Sequence, residues 1–148
     1  EMLHAALGRG VLTGVLSGAL ITTLVQSSST TTALTVPLAG SGKFEVRELL
    51  PFVVGANIGT TVTGLIAAFS VSGVEAEAAM TGALVHTMFN TFAALLILGV
   101  PFLRKLPPAG SDWLAGMAEK NKIYVFIWVG GVFFVLPILA VFISNWLT

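Results

Sequence analysis

Four uncharged and largely apolar stretches occupy most of the chain. They cover residues 10–42, 49–74, 78–103 and 123–148. Each is longer than the roughly 20 residues that an α-helix needs to cross a bilayer. The pattern predicts an all-α integral membrane protein, with residues 1–148 forming a single membrane domain.

The first stretch, 10–42, contains seven consecutive polar residues from Gln26 to Thr32. It is too long for one ordinary span and too short for two spans joined by a turn. We therefore expect a re-entrant helical hairpin over 10–42, with its Gln-Ser-Ser-Ser (QSSS) tip near the middle of the membrane. Irregular backbone at that depth requires protein or a water-filled cavity around it.

The remaining stretches predict three further membrane helices. The second contains Gly55-Ala56-Asn57-Ile58-Gly59-Thr60-Thr61, and because Gly and Asn weaken helices, we expect a broken helix over 49–74. Continuous helices are expected over 78–103 and 123–147. The intervening residues 104–122 include two adjacent prolines and predict a polar cytoplasmic loop.

Composition and charge agree with this layout. The chain is 55% hydrophobic and 9% charged, whereas a typical soluble domain carries about 25% charged residues. The net charge is zero, so we expect no nucleic-acid partner. If 10–42 returns to its own side, all seven Lys and Arg residues lie on the cytoplasmic face; a full span there would misplace only Arg9. We expect a multi-pass protein of the cell membrane, plasma or inner.

The polar interruptions indicate a path for a polar solute. Half-helix ends and hydroxyl donors suit an anion, and carbonyl and hydroxyl oxygens suit a hard cation such as Na⁺. Paired half-helix ends at mid-membrane are typical of secondary transporters. Because the apolar stretches contain no Lys or Arg except at their margins, an anion there would need a bound coupling cation.

Structural interpretations compete with these. Isolated hydroxyls such as Thr22 and Thr23 are expected to bond their own backbone or to pack, and Gly14-x-x-x-Gly18 predicts close helix packing. A non-transporting membrane scaffold would use the same small residues. We do not expect an enzyme, because the only base within the apolar stretches is His86 and no Asp lies there.

Three motifs carry a resemblance to a known family. The chain resembles the type II sodium/phosphate cotransporters in QSSS at 26–29, Gly-Ala-Asn-Ile-Gly-Thr-Thr (GANIGTT) at 55–61 and His-x-x-x-Asn at 86–90. The resemblance covers roughly residues 10–146. That family has two inverted repeats, and Thr87 stands where the first repeat commonly has an acidic residue. The chain is therefore similar to the second, C-terminal repeat.

The resemblance implies sodium-driven import of inorganic phosphate, with Na⁺ as coupling ion and no other cofactor or metal. It places phosphate at Gln26, Ser27, Ser28, Ser29 and Thr30. It places the sodium and substrate region at Asn57, Thr60, Thr61 and Thr63, without assigning individual Na⁺ ligands. His86 and Asn90 share a helix face, and we expect them to support the site or to form a hydrogen bond between helices.

A single repeat implies a missing partner, because inverted-repeat transporters bind substrate between two halves. We expect phosphate, Na⁺, the lipid bilayer and a second QSSS repeat as partners. That repeat is either the first half of one polypeptide or another copy of this chain, although the charge bias disfavours an inverted copy. Another oxyanion or a small organic acid would fit the same architecture.

Overall fold

The structure is a computed structural model that describes residues 10–147, and helices account for most of them. Arg9, which entered the charge argument, lies outside the described residues. In chain order the helices are α1 Val11–Val25, α2 Ser28–Ala33, α3 Thr35–Gly40, α4 Val46–Phe69, a 3₁₀ turn Gly73–Glu75, α5 Ala76–Gly99, α6 Pro101–Lys120, α7 Ile123–Gly130, a π-helical turn Gly131–Val135 and α8 Leu136–Leu147. The all-α prediction is confirmed.

Three helical segments are long and apolar enough to cross a membrane. They are Val46–Phe69, Gly73–Gly99 and Ile123–Trp146, which correspond to the three predicted membrane-crossing helices. The helix α1 is also apolar but has only 15 residues, so its length of about 22 Å is shorter than the roughly 30 Å hydrocarbon core. The chain is a membrane protein.

Residue contacts divide the chain into two units, which meet in sequence at Pro108 and Ala109. In the first unit, α1 packs along α4 and α4 packs against α5. In the second unit, the π-helical turn ends two residues before Pro137. Such a turn accommodates the ring and the missing N–H of a proline inside a helix.

The helices α1 and α4 run parallel with their backbones in contact. A Cβ built on Gly14 would lie 2.9 Å from the Cβ of Pro51, and one built on Gly18 would overlap the carbonyl oxygen of Phe52. Farther along, Gly59 faces Ala19 and Thr22. Because later residues of α1 contact later residues of α4, the two helices point in the same direction. The chain between them must therefore run back from the end of α1 to the position beside its start, where α4 begins. The predicted packing role of Gly14 and Gly18 is confirmed.

The return begins at the QSSS tip. Gln26 adopts the left-handed conformation (φ 57°, ψ 28°), and its N–H donates to the Thr22 carbonyl at 2.7 Å. Ser27 is extended and caps α2. The short helices α2 and α3 form the second arm, whose Leu38 packs on the cluster Phe44, Leu49 and Phe52 together with Ile21 of α1 and Ala39.

The prediction of a broken helix over 49–74 is wrong: α4 is continuous from Val46 to Phe69. The hydroxyls of the GANIGTT motif bond the helix's own carbonyls, Thr60 to Ala56 at 3.1 Å and Thr61 to Ile58 at 2.7 Å. The two glycines of the motif are buried against α1. These glycines allow close packing of α4 on α1, and α4 stays helical through the motif.

The prediction of a loop over 104–122 is also wrong, because α6 runs from Pro101 to Lys120. Pro101 stands at the first helical position, where its missing N–H costs nothing. Residues 109–120 contain Ala, Leu, Met, Glu and Lys, which favour helix. The residues that flank Pro107 and Pro108 therefore favour a helix, and the two prolines lie within it.

Candidate functional site

A cavity of about 450 Å³ lies beside the QSSS tip. The tip, the second half of α4 and the middle of α5 all contribute to its wall. The lining residues are Gln26, Ser27, Ser28, Ser29, Thr60, Thr63, Gly64, Ala67 and His86. The structure therefore brings together most of the residues that the sequence motifs predicted.

Ser27 organises the tip. Its Oγ accepts the N–H of Thr30 at 3.2 Å and the hydroxyl of Thr30 at 3.0 Å. The Ser27 carbonyl accepts the hydroxyl of Thr31 at 2.9 Å, and Thr31 is fully buried. These bonds leave the hydroxyl proton of Ser27 free to donate into the cavity.

Ser28 and Ser29 provide further free donors. Neither side chain makes a hydrogen bond within residues 10–147. Ser28 is half-buried and Ser29 is exposed, as is the neighbouring Gln26. Together with Ser27, these side chains give the tip a set of hydroxyl and amide donors that can bind oxyanion oxygens.

The α4 side of the cavity has the opposite character. Thr60 donates its hydroxyl proton to Ala56 and Thr63 donates to the Gly59 carbonyl at 3.2 Å. The single proton of each hydroxyl is therefore already in a hydrogen bond, and only oxygen lone pairs remain to face the cavity. Oxygen lone pairs are what a hard cation needs, so this wall is suited to Na⁺.

Among the described residues that line the cavity there is no Lys, Arg, Asp or Glu, and His86 is the one histidine. Within the described residues, there is also no group of three His, Asp or Glu side chains that could hold a metal ion. Because α2 has only six residues, its dipole is small. Charge on a bound anion must therefore be balanced mainly by hydroxyls, amides and a neighbouring cation.

Four predicted site residues do not line the cavity. The hydroxyl of Thr30 donates to the Oγ of Ser27. Thr61 is 1% exposed and bonds Ile58. Asn57 is exposed on the face of α4 that carries Thr60, one turn earlier. Asn90 is half-buried and donates to the His86 carbonyl at 3.1 Å, which is a bond within α5 and not one between helices.

Sequence reasoning missed Gly64 and Ala67. They follow Thr60 and Thr63 at a spacing of four and share their helix face. Small residues at those two positions leave room for the cavity. The signal was present as Thr60-x-x-x-Gly64 and Thr63-x-x-x-Ala67, once α4 is taken as one continuous helix.

Thr22 lies one turn before the tip and carries a buried hydroxyl without a partner. The residue is 1% exposed, and its Oγ1 has no hydrogen bond among the described residues. Thr23, by contrast, donates to the Ala19 carbonyl at 2.8 Å, as expected. Thr22 packs against Gly59, and in this packed position its hydroxyl makes no hydrogen bond among the described residues.

We expect Thr22→Val to raise the free energy of unfolding by about 1 kcal/mol, because a similar shape is kept and an unsatisfied buried hydroxyl is removed. The matched control is Thr31→Val, which removes a made bond to the Ser27 carbonyl and should lower stability by about 0.5–1.5 kcal/mol. Thermal unfolding in detergent measures both. A Thr22→Val protein less stable than the parent would contradict this account.

Comparison with known proteins identifies the family. The family model described as Na+/Pi-cotransporter matches residues 1–104. The chain is 37% identical to the sodium-dependent phosphate transport protein 2B of Bos taurus over 128 residues, covering 86% of this chain and 18% of that protein. No solved structure matches the chain.

Other relatives agree. The Homo sapiens protein 2B is 43% identical over 91 residues, which is 60% of this chain and 13% of that protein. The Rattus norvegicus sodium-dependent phosphate transport protein 2A is 42% identical over 87 residues, covering 57% and 14%. The chain thus spans less than a fifth of the length of these relatives. The resemblance to the type II sodium/phosphate cotransporters is confirmed, and the chain belongs to the Na+/Pi-cotransporter family, whose members are transporters and not enzymes.

Proposed function

We propose that this chain forms one half of a sodium-coupled secondary transporter that imports inorganic phosphate across the cell membrane, plasma or inner. One observation carries the proposal. In a single cavity, free hydroxyl donors at Ser27, Ser28 and Ser29 face threonine oxygens whose protons are already used. Donors suit an oxyanion and lone pairs suit Na⁺, so the two ligands would bind side by side.

Phosphate binding is assigned to the tip. Gln26, Ser27, Ser28 and Ser29 would donate to phosphate oxygens, and Thr30 would act through the cap that it forms with Ser27. The relatives' names, which describe sodium-dependent phosphate transport, are what favours phosphate over another oxyanion or a small organic acid.

Sodium binding is assigned to the α4 wall. Thr60 and Thr63 line the cavity, and Asn57 lies one turn earlier on the same face. Thr61 would hold the helix geometry from inside. A unit charge about 4 Å from an anion contributes about 4 kcal/mol at an effective dielectric constant of 20, which is close to a thousandfold in affinity. Because the described lining contains no Lys or Arg, Na⁺ would be obligatory for phosphate binding.

The cavity needs a second half. Asn57, Ser29 and His86 are exposed although they flank or line it, and exposed polar groups at membrane depth require a polar partner. A second QSSS hairpin related by inverted symmetry would supply one. The hairpin formed by α1, α2 and α3 would then enter the bilayer and return, with its tip near the midplane.

The test is sodium-dependent uptake of radiolabelled phosphate into vesicles, first with this chain alone and then with a first-repeat chain co-expressed. We expect uptake only when both chains are present. It should occur with a Na⁺ gradient and should be absent when K⁺ replaces Na⁺ under otherwise identical conditions. Ser28→Ala should reduce it by about ten- to a hundredfold, since one donor to an anion contributes about 1.5–3 kcal/mol.

The matched control is Ser41→Ala, because Ser41 bonds the Leu38 carbonyl at 2.8 Å outside the cavity, and its uptake should equal that of the parent. Uptake that is equal in K⁺ and Na⁺ would refute the coupling. Sodium-dependent uptake of sulfate, unaffected by excess phosphate, would assign the site to another oxyanion.

A further inference from the structure

The helix α6 carries an exposed apolar face that the transport site does not use. Before Pro108, Phe102 and Leu106 are four residues apart and are 69% and 50% exposed. After Pro108, Trp113 is 55% exposed and Met117 follows it at the same spacing. Residues four apart lie on one helix face, so each part of α6 has its own apolar stripe.

Three charged residues lie away from these stripes: Arg104, Asp112 and Glu119. Lys105 is three residues from Phe102 and Lys120 is seven from Trp113, so these two lysines lie beside or in line with a stripe. A lysine at such a position can pack its alkyl stem along apolar groups while its ammonium reaches the headgroups. Asp112 and Glu119, seven apart, share a face, and Trp113 lies 100° round the helix from Asp112. Each part of α6 is therefore amphipathic, which is typical of a helix at a boundary between water and apolar material.

Chain connectivity identifies that boundary as the membrane surface. Only Val100 separates α6 from α5, and only Asn121 and Lys122 separate it from α7. Both neighbouring segments are long and apolar enough to cross a membrane, whereas α6 is not among such helices. Because one or two residues span less than about 8 Å, both ends of α6 must lie within that distance of a membrane span.

The two prolines indicate how deep α6 lies. Pro107 and Pro108 cannot donate a hydrogen bond, so the carbonyls of Leu103 and Arg104 lack their usual helical donors. An unsatisfied carbonyl is costly in hydrocarbon, but water and headgroups can satisfy it at the interface. The prolines thus fit the headgroup region and disfavour the bilayer interior.

We propose that α6 is an interfacial helix, with Phe102, Leu106 and Trp113 in the headgroup–acyl boundary and its basic residues on anionic phospholipid headgroups. Residues 101–122 contain four basic and two acidic side chains, and both junctions with the membrane spans are basic. The four basic residues are Arg104, Lys105, Lys120 and Lys122. Their charge complements anionic lipid. This inference does not depend on the transported substrate.

The test measures the depth of Trp113 in the full chain. The chain has three Trp residues, so Trp128→Phe with Trp146→Phe leaves Trp113 as its one tryptophan, which is excited selectively at wavelengths where tyrosine does not absorb. The protein is reconstituted into phosphatidylcholine vesicles carrying bromine either near the headgroup or near the acyl-chain end. We expect strong quenching by the shallow bromine, weak quenching by the deep bromine and weak quenching by aqueous acrylamide.

A matched control moves the fluorophore to another face. Ser111→Trp combined with Trp113→Phe, in the same background, places the indole 160° round α6, where acrylamide should quench it several-fold more strongly. Both proteins must show the parent's helical circular dichroism and elution volume. Equal acrylamide quenching at the two positions, or stronger quenching of Trp113 by the deep bromine, would overturn the proposal.

The lipid preference has its own readout. Mixing phosphatidylglycerol into the vesicles should strengthen shallow-bromine quenching of Trp113, and replacing all four basic residues by Gln (Arg104→Gln, Lys105→Gln, Lys120→Gln and Lys122→Gln) should abolish that increase. A blue-shifted Trp113 emission without bromolipid quenching would mean that a protein surface covers this face, and would reject the lipid assignment. An increase that persists in this quadruple variant would reject the role of the four basic residues.

Discussion

A single methyl group on Gly55 is expected to disrupt the packing of α1 on α4. The added Cβ would overlap the carbonyl oxygen of Val15 and would lie 2.7 Å from its carbonyl carbon and its Cα. All three are backbone atoms, so the clash can be relieved only by moving the two helices apart. Gly55→Ala should therefore cost about 3 kcal/mol of stability, at the upper end of the range for overpacked sites.

The same variant should also impair the site, since α1 positions the tip and α4 carries Thr60 and Thr63. The matched control is Gly82→Ala on α5, because a Cβ there meets nothing within 4 Å. Alanine favours helix over glycine by about 1 kcal/mol, so the control should be as stable as the parent or more stable. Thermal unfolding in detergent compares the two; a Gly55→Ala protein as stable as Gly82→Ala would contradict the packing described here.

Ser27→Asp is expected to abolish sodium-dependent phosphate uptake. Aspartate caps a helix about as well as serine, so the tip should keep its conformation. Its carboxylate would face the cavity, however, and a like charge about 4 Å from the anion would cost about 4 kcal/mol at an effective dielectric constant of 20. Uptake in the co-expressed system should fall at least about a hundredfold.

Two companion variants separate capping from binding. Ser27→Asn keeps a good cap and stays neutral, whereas Ser27→Ala loses both the cap to the Thr30 N–H and the donor to the anion. We expect uptake to decrease in the order parent, Asn, Ala, Asp. Protein level and elution volume control for folding. If Asp and Asn transported phosphate equally well, the anion would have to bind away from Ser27.

Much of the candidate site follows from sequence order. Seven polar residues inside an apolar stretch predict a polar turn, and Gln26 and Ser27 form one. The motif at 55–61 predicts polar groups nearby, and Thr60 lines the cavity. These predictions depend on residue type and on distance along one chain, which the sequence contains in full.

The condition of each hydroxyl could not be predicted in this way. Thr60, Thr61 and Thr63 all donate to their own helix, whereas Ser28 and Ser29 do not. Whether a hydroxyl donates to a backbone carbonyl or to a ligand depends on whether the helix is continuous at that residue and on the side-chain rotamer. Whether α4 was continuous therefore decided which residues present donors and which present lone pairs.

The sequence by itself determined the membrane class, the apolar lengths of the spans, the turn at the QSSS tip and the family, because these depend on local composition and motif order. Only the tertiary structure decided that Gly55 and Gly59 pack against α1 instead of breaking α4. The structure also shows that residues 101–120 form a helix despite two prolines, because the flanking residues favour helix. Gly and Pro weaken a helix locally, but contacts with a neighbouring helix and favourable flanking residues outweigh that cost, and those contacts exist only after the chain has folded.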